Sequence, residues 1–146
     1  MAADSGESGR RRGEIVTTYT FVIPGPPVAK GRPRFAMRGI KAIAYTPDKT
    51  TAWEKGAKLI IRAGMEGNTP LGGPVGAEFC FHMPKPKRMT RRHPSVGADI
   101  DNLVKAACDS MNGLAYIDDA QIVRLTARKE YSDYPMVLIR ISTIED

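Results

Sequence analysis

The segment Asp99-Ile100-Asp101-Asn102-Leu103-Val104-Lys105 holds two carboxylates and one ammonium within seven positions. Asp99 and Asp101 are two apart, so in an extended entry to a helix their side chains point the same way. Lys105 follows Asp101 by four, one helical turn above it on the same face. The three groups converge on a helix N-terminus, where the backbone dipole favours a phosphate. Asp118-Asp119 stands at a strand entrance and offers to close the site from a second element. The plainer readings are an N-cap at Asp99 or Asp101, an exposed Asp101–Lys105 pair worth about 0.3–0.5 kcal/mol, and turn chemistry at Asp118-Asp119. Asp109, four residues beyond Lys105, either orients that ammonium or simply pairs with it. His82 and His93 read as packing and loop residues rather than ligands. An EF-hand fails, because Leu103 and Val104 stand where an oxygen ligand and glycine belong. No Gly-rich phosphate loop and no Ser/His/Asp or Cys/His arrangement is visible.

Charge is segregated along the chain. Lys30, Arg32, Arg34, Arg38 and Lys41 lie in one stretch without an acid, and Lys85, Lys87, Arg88, Arg91 and Arg92 in another. From Ala98 to Asp119 the balance reverses, with Asp99, Asp101, Asp109, Asp118 and Asp119 against Lys105 alone. Either basic run by itself reads as a solvated face. Together, on a chain of net charge +6 and pI near 9.5, they point to a nucleic-acid backbone. Carboxylates would repel that backbone unless a hard cation sits between, since Mg²⁺ or Mn²⁺ turns the repulsion into attraction. Acids inside a basic surface are the charge pattern of a metal-dependent phosphodiesterase.

These residues need elements to position them. Tyr19, Phe21 and Ile23 share a strand face that Pro24-Gly25-Pro26-Pro27 ends. Residues 28–46 read as irregular, with a small hairpin turning at Arg38-Gly39. Thr46-Pro47 starts a helix whose apolar stripe is Trp53, Ala57, Ile60 and Ile61, stopped by Gly64, Gly67 and Pro70. Val75, Ala77, Phe79, Phe81 and Met83 alternate as a strand with one buried face. A second helix runs from about Asp101 to Met111, with Asn112-Gly113 as its left-handed stop. Val123, Leu125 and Ala127 alternate in a third strand, and Val137, Ile139 and Ile141 in the last. The expectation is an α/β (α+β) single domain over residues 14–146, with two main helices on a mixed sheet of about four strands. Residues 1–13 read as a mobile, solvated tail carrying Arg10, Arg11 and Arg12.

A chain of 146 residues suits one domain, and 42% apolar content gives it a core. No run approaches the ~18 apolar residues of a membrane span, and no signal peptide is apparent. Cys80 and Cys108 form neither a disulfide framework nor a CxxC site, and read as free thiols in a reducing compartment.

The run from Asp99 to Lys105, then Asp109-Ser-Met-Asn-Gly113 and Tyr116-Ile-Asp-Asp-Ala-Gln-Ile-Val123, resembles the core motif of RusA-type Holliday junction resolvases. The likeness extends to Lys30-Gly-Arg-Pro-Arg34, Tyr45-Thr-Pro47, Lys129 and Tyr131. One departure is Gly97-Ala98, where many relatives carry a proline just before the first aspartate. The resemblance implies a homodimeric endodeoxyribonuclease that uses Mg²⁺, with Mn²⁺ able to substitute, and no organic cofactor. It implies that branched DNA, a four-way junction, is nicked symmetrically on two opposing strands in recombination and repair. Carried over by motif, Asp99, Asp101 and Asp119 bind metal, Asp118 is the companion aspartate counted with them among the metal ligands, and Lys105 is the essential lysine. The catalytic set is then Asp99, Asp101, Lys105 and Asp119. Lys30, Arg32, Arg34, Lys85, Lys87 and Arg88 are the expected DNA contacts. The setting is the cytoplasm of a bacterial or phage-infected cell, with no membrane partner. The rivals are a magnesium nuclease for flaps or hybrids, a non-catalytic junction binder, and a structural module whose basic pI serves solubility.

Overall fold

The computed structural model describes residues 16–31, 34–38, 41–45 and 48–145. The expected tail with Arg10, Arg11 and Arg12, together with Arg32 and the Thr46-Pro47 cap, lies outside these residues. Six strands and two helices follow in chain order. They are β1 (Thr18–Pro24), β2 (Arg34–Arg38), β3 (Lys41–Tyr45), α1 (Asp48–Gly64), β4 (Val75–Pro84), α2 (Ile100–Met111), β5 (Ile122–Ser132) and β6 (Met136–Thr143). β2 and β3 pair antiparallel, closing a hairpin between Arg38 and Lys41 as expected.

The main sheet has the order β1-β6-β4-β5. β1–β6 and β6–β4 are antiparallel, and β4–β5 is parallel. A parallel pair needs a crossover, and α2 supplies it, so β4-α2-β5 is a βαβ unit inside an otherwise antiparallel sheet. The sheet is therefore mixed, four-stranded and covered by two helices, as the alternation predicts.

Register explains which residues face the helices. Phe21 lies opposite Ile139, and Ile139 opposite Phe79, so three strands give one apolar face. Phe21, Ile23, Ala77, Phe79, Phe81, Val137, Ile139 and Ile141 are all buried there with Ala57 and Ile61 of α1 and Leu103, Ala107 and Met111 of α2. In β5 the alternation is interrupted. A bulge between Val75 and Gly76 places Ile122, not Val123, opposite Val75. Val123 is left 66% exposed and Leu125 45%, so the expected buried stripe is only half realised on this edge strand.

The loop after β1 is pinned between the helices. The buried Thr50 hydroxyl donates to the Ala29 carbonyl and accepts from the Gly31 N–H, while the Lys30 N–H donates to the Asn102 carbonyl at 2.8 Å. After α2, Gly113 takes φ +77°, the left-handed stop read from Asn112-Gly113.

Candidate active site

Asp99 stands at the N-cap of α2 with extended backbone, and its side chain makes no capping hydrogen bond. The ordinary cap role is thus unfilled, and the carboxylate is left for another partner. Asp101 begins the helix's exposed face and accepts from the Asn102 N–H at 3.0 Å. Among the described residues neither Asp99, Lys105 nor Asp119 makes an ion pair, so the surface-pair reading of Asp101 and Lys105 does not hold either. Asp109 pairs instead with Lys30, at 3.2 Å.

Two devices set the approach to Asp99. Gly97 turns the chain at φ +87°, a conformation that costs a residue with a Cβ roughly 1–2 kcal/mol. The Lys129 ammonium then donates to the Ala98 carbonyl at 2.8 Å. Lys129 lies opposite Phe81, on the helix-covered side of β5, and from there reaches across to the residue before the first aspartate.

The Asp118–Gln121 stretch divides its work. The Asp118 carboxylate accepts from the Ala120 N–H at 2.9 Å, capping the single 3₁₀ turn Asp119–Gln121. The Gln121 carbonyl oxygen accepts from the Ile117 and Asp118 N–H groups, and its amide donates to the Leu71 and Gly73 carbonyls, each at 2.9 Å. Asp118, expected among the metal ligands, has one oxygen taken by this cap. Asp119 is the carboxylate of the stretch with no hydrogen bond among the described residues.

Two adjoining open grooves share Asp101. Asp99, Asp101, His93 and Lys129 line one of them. Asp101, Lys105, Asp119 and Arg124 line the other, with the flank of Cys108. Three carboxylates and the lysine, drawn from the Asp99–Lys105 run and from Asp119, thereby line two grooves that meet at Asp101. Among the described residues no three of these carboxylates close to within 4.8 Å of one another. All-oxygen donors are the chemistry that Mg²⁺ takes, keeping several waters and binding one or two carboxylates directly. The set does not fit a tight, all-protein cage.

Burial pushes the Cys108 thiol up to about 11, so it stays protonated at neutral pH. Burial likewise raises the Tyr116 phenol, whose hydroxyl donates to the Cys108 carbonyl at 2.8 Å and holds the post-helix loop on α2.

The expected DNA contacts separate into different situations. The exposed loop that carries Lys87, Arg88, Arg91 and Arg92 runs on in sequence to His93, Pro94 and Ser95, which line the first groove. Lys85 pairs with Asp133 at 3.0 Å on open surface. Lys30 is engaged inward, with its ammonium 3.0 Å from Glu54 and 3.2 Å from Asp109. Arg34 opens β2. Sequence reasoning missed the bracing roles of Lys129 and Gln121 and left His93 as a plain loop residue. The signal present was only that Lys129 and Gln121 lie within or near the quoted motifs.

Comparison with known proteins gives a consistent result. The family described as endodeoxyribonuclease RusA matches residues 24–142. The chain is also 31% identical over 136 residues to the uncharacterized protein YqaN of Bacillus subtilis, covering 85% of this chain and 95% of that one.

Proposed function

Because the chain belongs to the RusA endodeoxyribonuclease family, we propose that it is a Mg²⁺-dependent, homodimeric resolvase that nicks four-way DNA junctions on two opposing strands. The observation that carries this reading is the sharing of Asp101 between the groove of Asp99 and the groove of Lys105 and Asp119. Asp99, Asp101 and Asp119 would hold the metal. When bound, it supplies Lewis-acid charge at the scissile phosphate and acidity to a water molecule. Lys105, one turn into α2, places its ammonium where charge develops on the phosphorane or the leaving oxygen. The Asp99 end of α2 adds its unpaired N–H groups as a further anion attraction. Hydrolysis leaves a 5′-phosphate and a 3′-hydroxyl.

Lys87, Arg88, Arg91 and Arg92 supply backbone contacts, each releasing condensed counterions and carrying no sequence information. Two nicks related by two-fold symmetry call for two identical sites, which a pair of chains provides. No helix of the described residues is long and apolar enough to cross a membrane.

The test is a panel of synthetic four-way junction, linear duplex and flap, each with Mg²⁺ and with chelator, with cuts mapped on every strand. Paired, symmetric, Mg²⁺-dependent cuts in the junction alone are the expected result. Equal cutting of duplex or flap would replace the junction assignment, and binding without cutting would make the protein a junction binder.

A further inference from the structure

The face of the sheet turned away from the helices holds a second cluster of ligating groups. Cys80 and His82 are two apart on β4, so they share that face, and Glu130 of β5 lies directly opposite His82 in the parallel register. The Cys80 Sγ, an imidazole nitrogen of His82 and a carboxylate oxygen of Glu130 all lie within 4.8 Å of one another. His82 Nδ1 is 3.6 Å from Glu130 Oε1. Cys80 is buried, and the other two are half-buried.

From this geometry we infer a zinc-class metal site formed by Cys80, His82 and Glu130, separate from the nuclease groove. Sulfur, imidazole and carboxylate are the mixed donor set of a borderline-soft ion such as Zn²⁺, whereas Mg²⁺ takes oxygen. Ligands bound tetrahedrally at zinc distances stand about 3.3–3.6 Å apart. The His82–Glu130 pair is already at that separation, and the Cys80 Sγ lies within 4.8 Å of both. Three protein ligands leave the fourth position to water or an outside donor. A hollow of about 240 Å³ beside Cys80, lined by Glu78, Arg128, Leu138 and Arg140, gives the ion its way in.

Arg128 is the group that must move. Its Nε lies 3.3 Å from Glu130 Oε2, and its side chain is 70% exposed, so it can swing into solvent and give up that carboxylate. The aspartates lie on the helix-covered side of the sheet, with the whole sheet between the two sites. An ion here ties the edge strand β5 to β4, and β5 is also the strand from which Lys129 holds Ala98.

Titration of the intact chain with Zn²⁺ alone, and with Co²⁺ as a spectroscopic stand-in, tests the site. One equivalent should bind, raise the melting temperature and give the thiolate-to-cobalt charge-transfer band with tetrahedral visible bands. Cys80→Ser and, on the exposed edge, Glu130→Gln should each weaken binding by about 100-fold or more, beyond the 10–100-fold typical of losing a mere supporting group. Asp101→Asn should bind as the parent does, and excess Mg²⁺ should not displace the ion. Absence of a stoichiometric Zn²⁺ effect, or a cobalt spectrum unchanged in Cys80→Ser and Glu130→Gln, would overturn the assignment. Loss of binding in Asp101→Asn would move the ion to the groove and overturn it equally. None of these readouts depends on DNA cleavage, so failure of the nuclease reading would leave the result legible.

Discussion

Lys129 on β5 holds the carbonyl of Ala98 at 2.8 Å, and so fixes the residue that delivers Asp99 to the N-terminus of α2. The bond joins the far strand of the βαβ unit to the start of its crossover helix. It acts on the site through the backbone, which makes Lys129 a positioning residue. Lys129→Met is expected to raise the Mg²⁺ concentration for half-maximal cleavage by about 10- to 100-fold, as for other supporting contacts to metal ligands. At saturating Mg²⁺ the rate should recover most of the way. A metal titration of single-turnover nicking checks this, and an unshifted midpoint would show the bond to be structural only.

Asp101 lines both grooves, so its replacement removes the joint between them. Asp101→Asn keeps shape and loses charge. Cleavage should fall by about 100-fold or more while junction binding in a gel-shift assay persists. Chelation of the parent protein should reproduce the same separation of binding from cutting. A fully active Asp101→Asn protein would end the assignment.

Lys30 braces both helices to the loop after β1, with its backbone N–H on α2 and its ammonium between Glu54 of α1 and Asp109 of α2. Burial alone would lower its pKa, but the hydrogen bonds and charges of Glu54 and Asp109 outweigh burial and leave it raised above 10.5. A raised lysine stabilises the fold fully at pH values below 10.5, and that contribution fades as pH climbs through the folded value. Lys30→Met should cost about 1–3 kcal/mol at neutral pH, between the limits for exposed and buried pairs. Its deficit should shrink in strong alkali. Denaturant melts at two pH values measure both, and the salt dependence of DNA binding should stay as in the parent if bracing is the whole role.

Lys87 and Arg88 are exposed on the loop between β4 and α2. Replacing both with glutamine should weaken junction binding and reduce the slope of log K against log salt by about 2, without altering the Mg²⁺ requirement. An unchanged slope would return this loop to a solubility role.

The strands and helices were legible wherever burial is one-sided and local. Phe21 and Ile23, or Phe79 and Phe81, alternate because one face of their strand meets the helices, and Ala57 and Ile61 repeat because one stripe of α1 does. β5 follows that reading only in part: Ala127 packs on the core as expected, but Ile122 takes the place of Val123 at a bulge, which depends on the neighbouring strand. At the site, the spacing of Asp99, Asp101 and Lys105 carried its own geometry, since one helix start holds all three. The division of labour between Asp118 and Asp119 did not. It depends on Gln121 and on the loop carbonyls of Leu71 and Gly73, about fifty residues away in sequence. Lys30 likewise reads as one of a basic run until Glu54 and Asp109 are placed around it. Cys80, His82 and Glu130 meet only through parallel pairing, which no local pattern announces.

The position of β6 has a consequence for how the protein comes into being. It lies between β1 and β4, yet of the four strands of the sheet it is the last to be translated. Until it leaves the ribosome, β1 has no neighbour to bond and the apolar faces of β1 and β4 cannot join, because the contacts that unite them span most of the chain. A half-made polypeptide therefore carries the aspartates of a nuclease without the framework that unites them. A stop codon placed inside β6 should leave β1 unpaired and the sheet unformed.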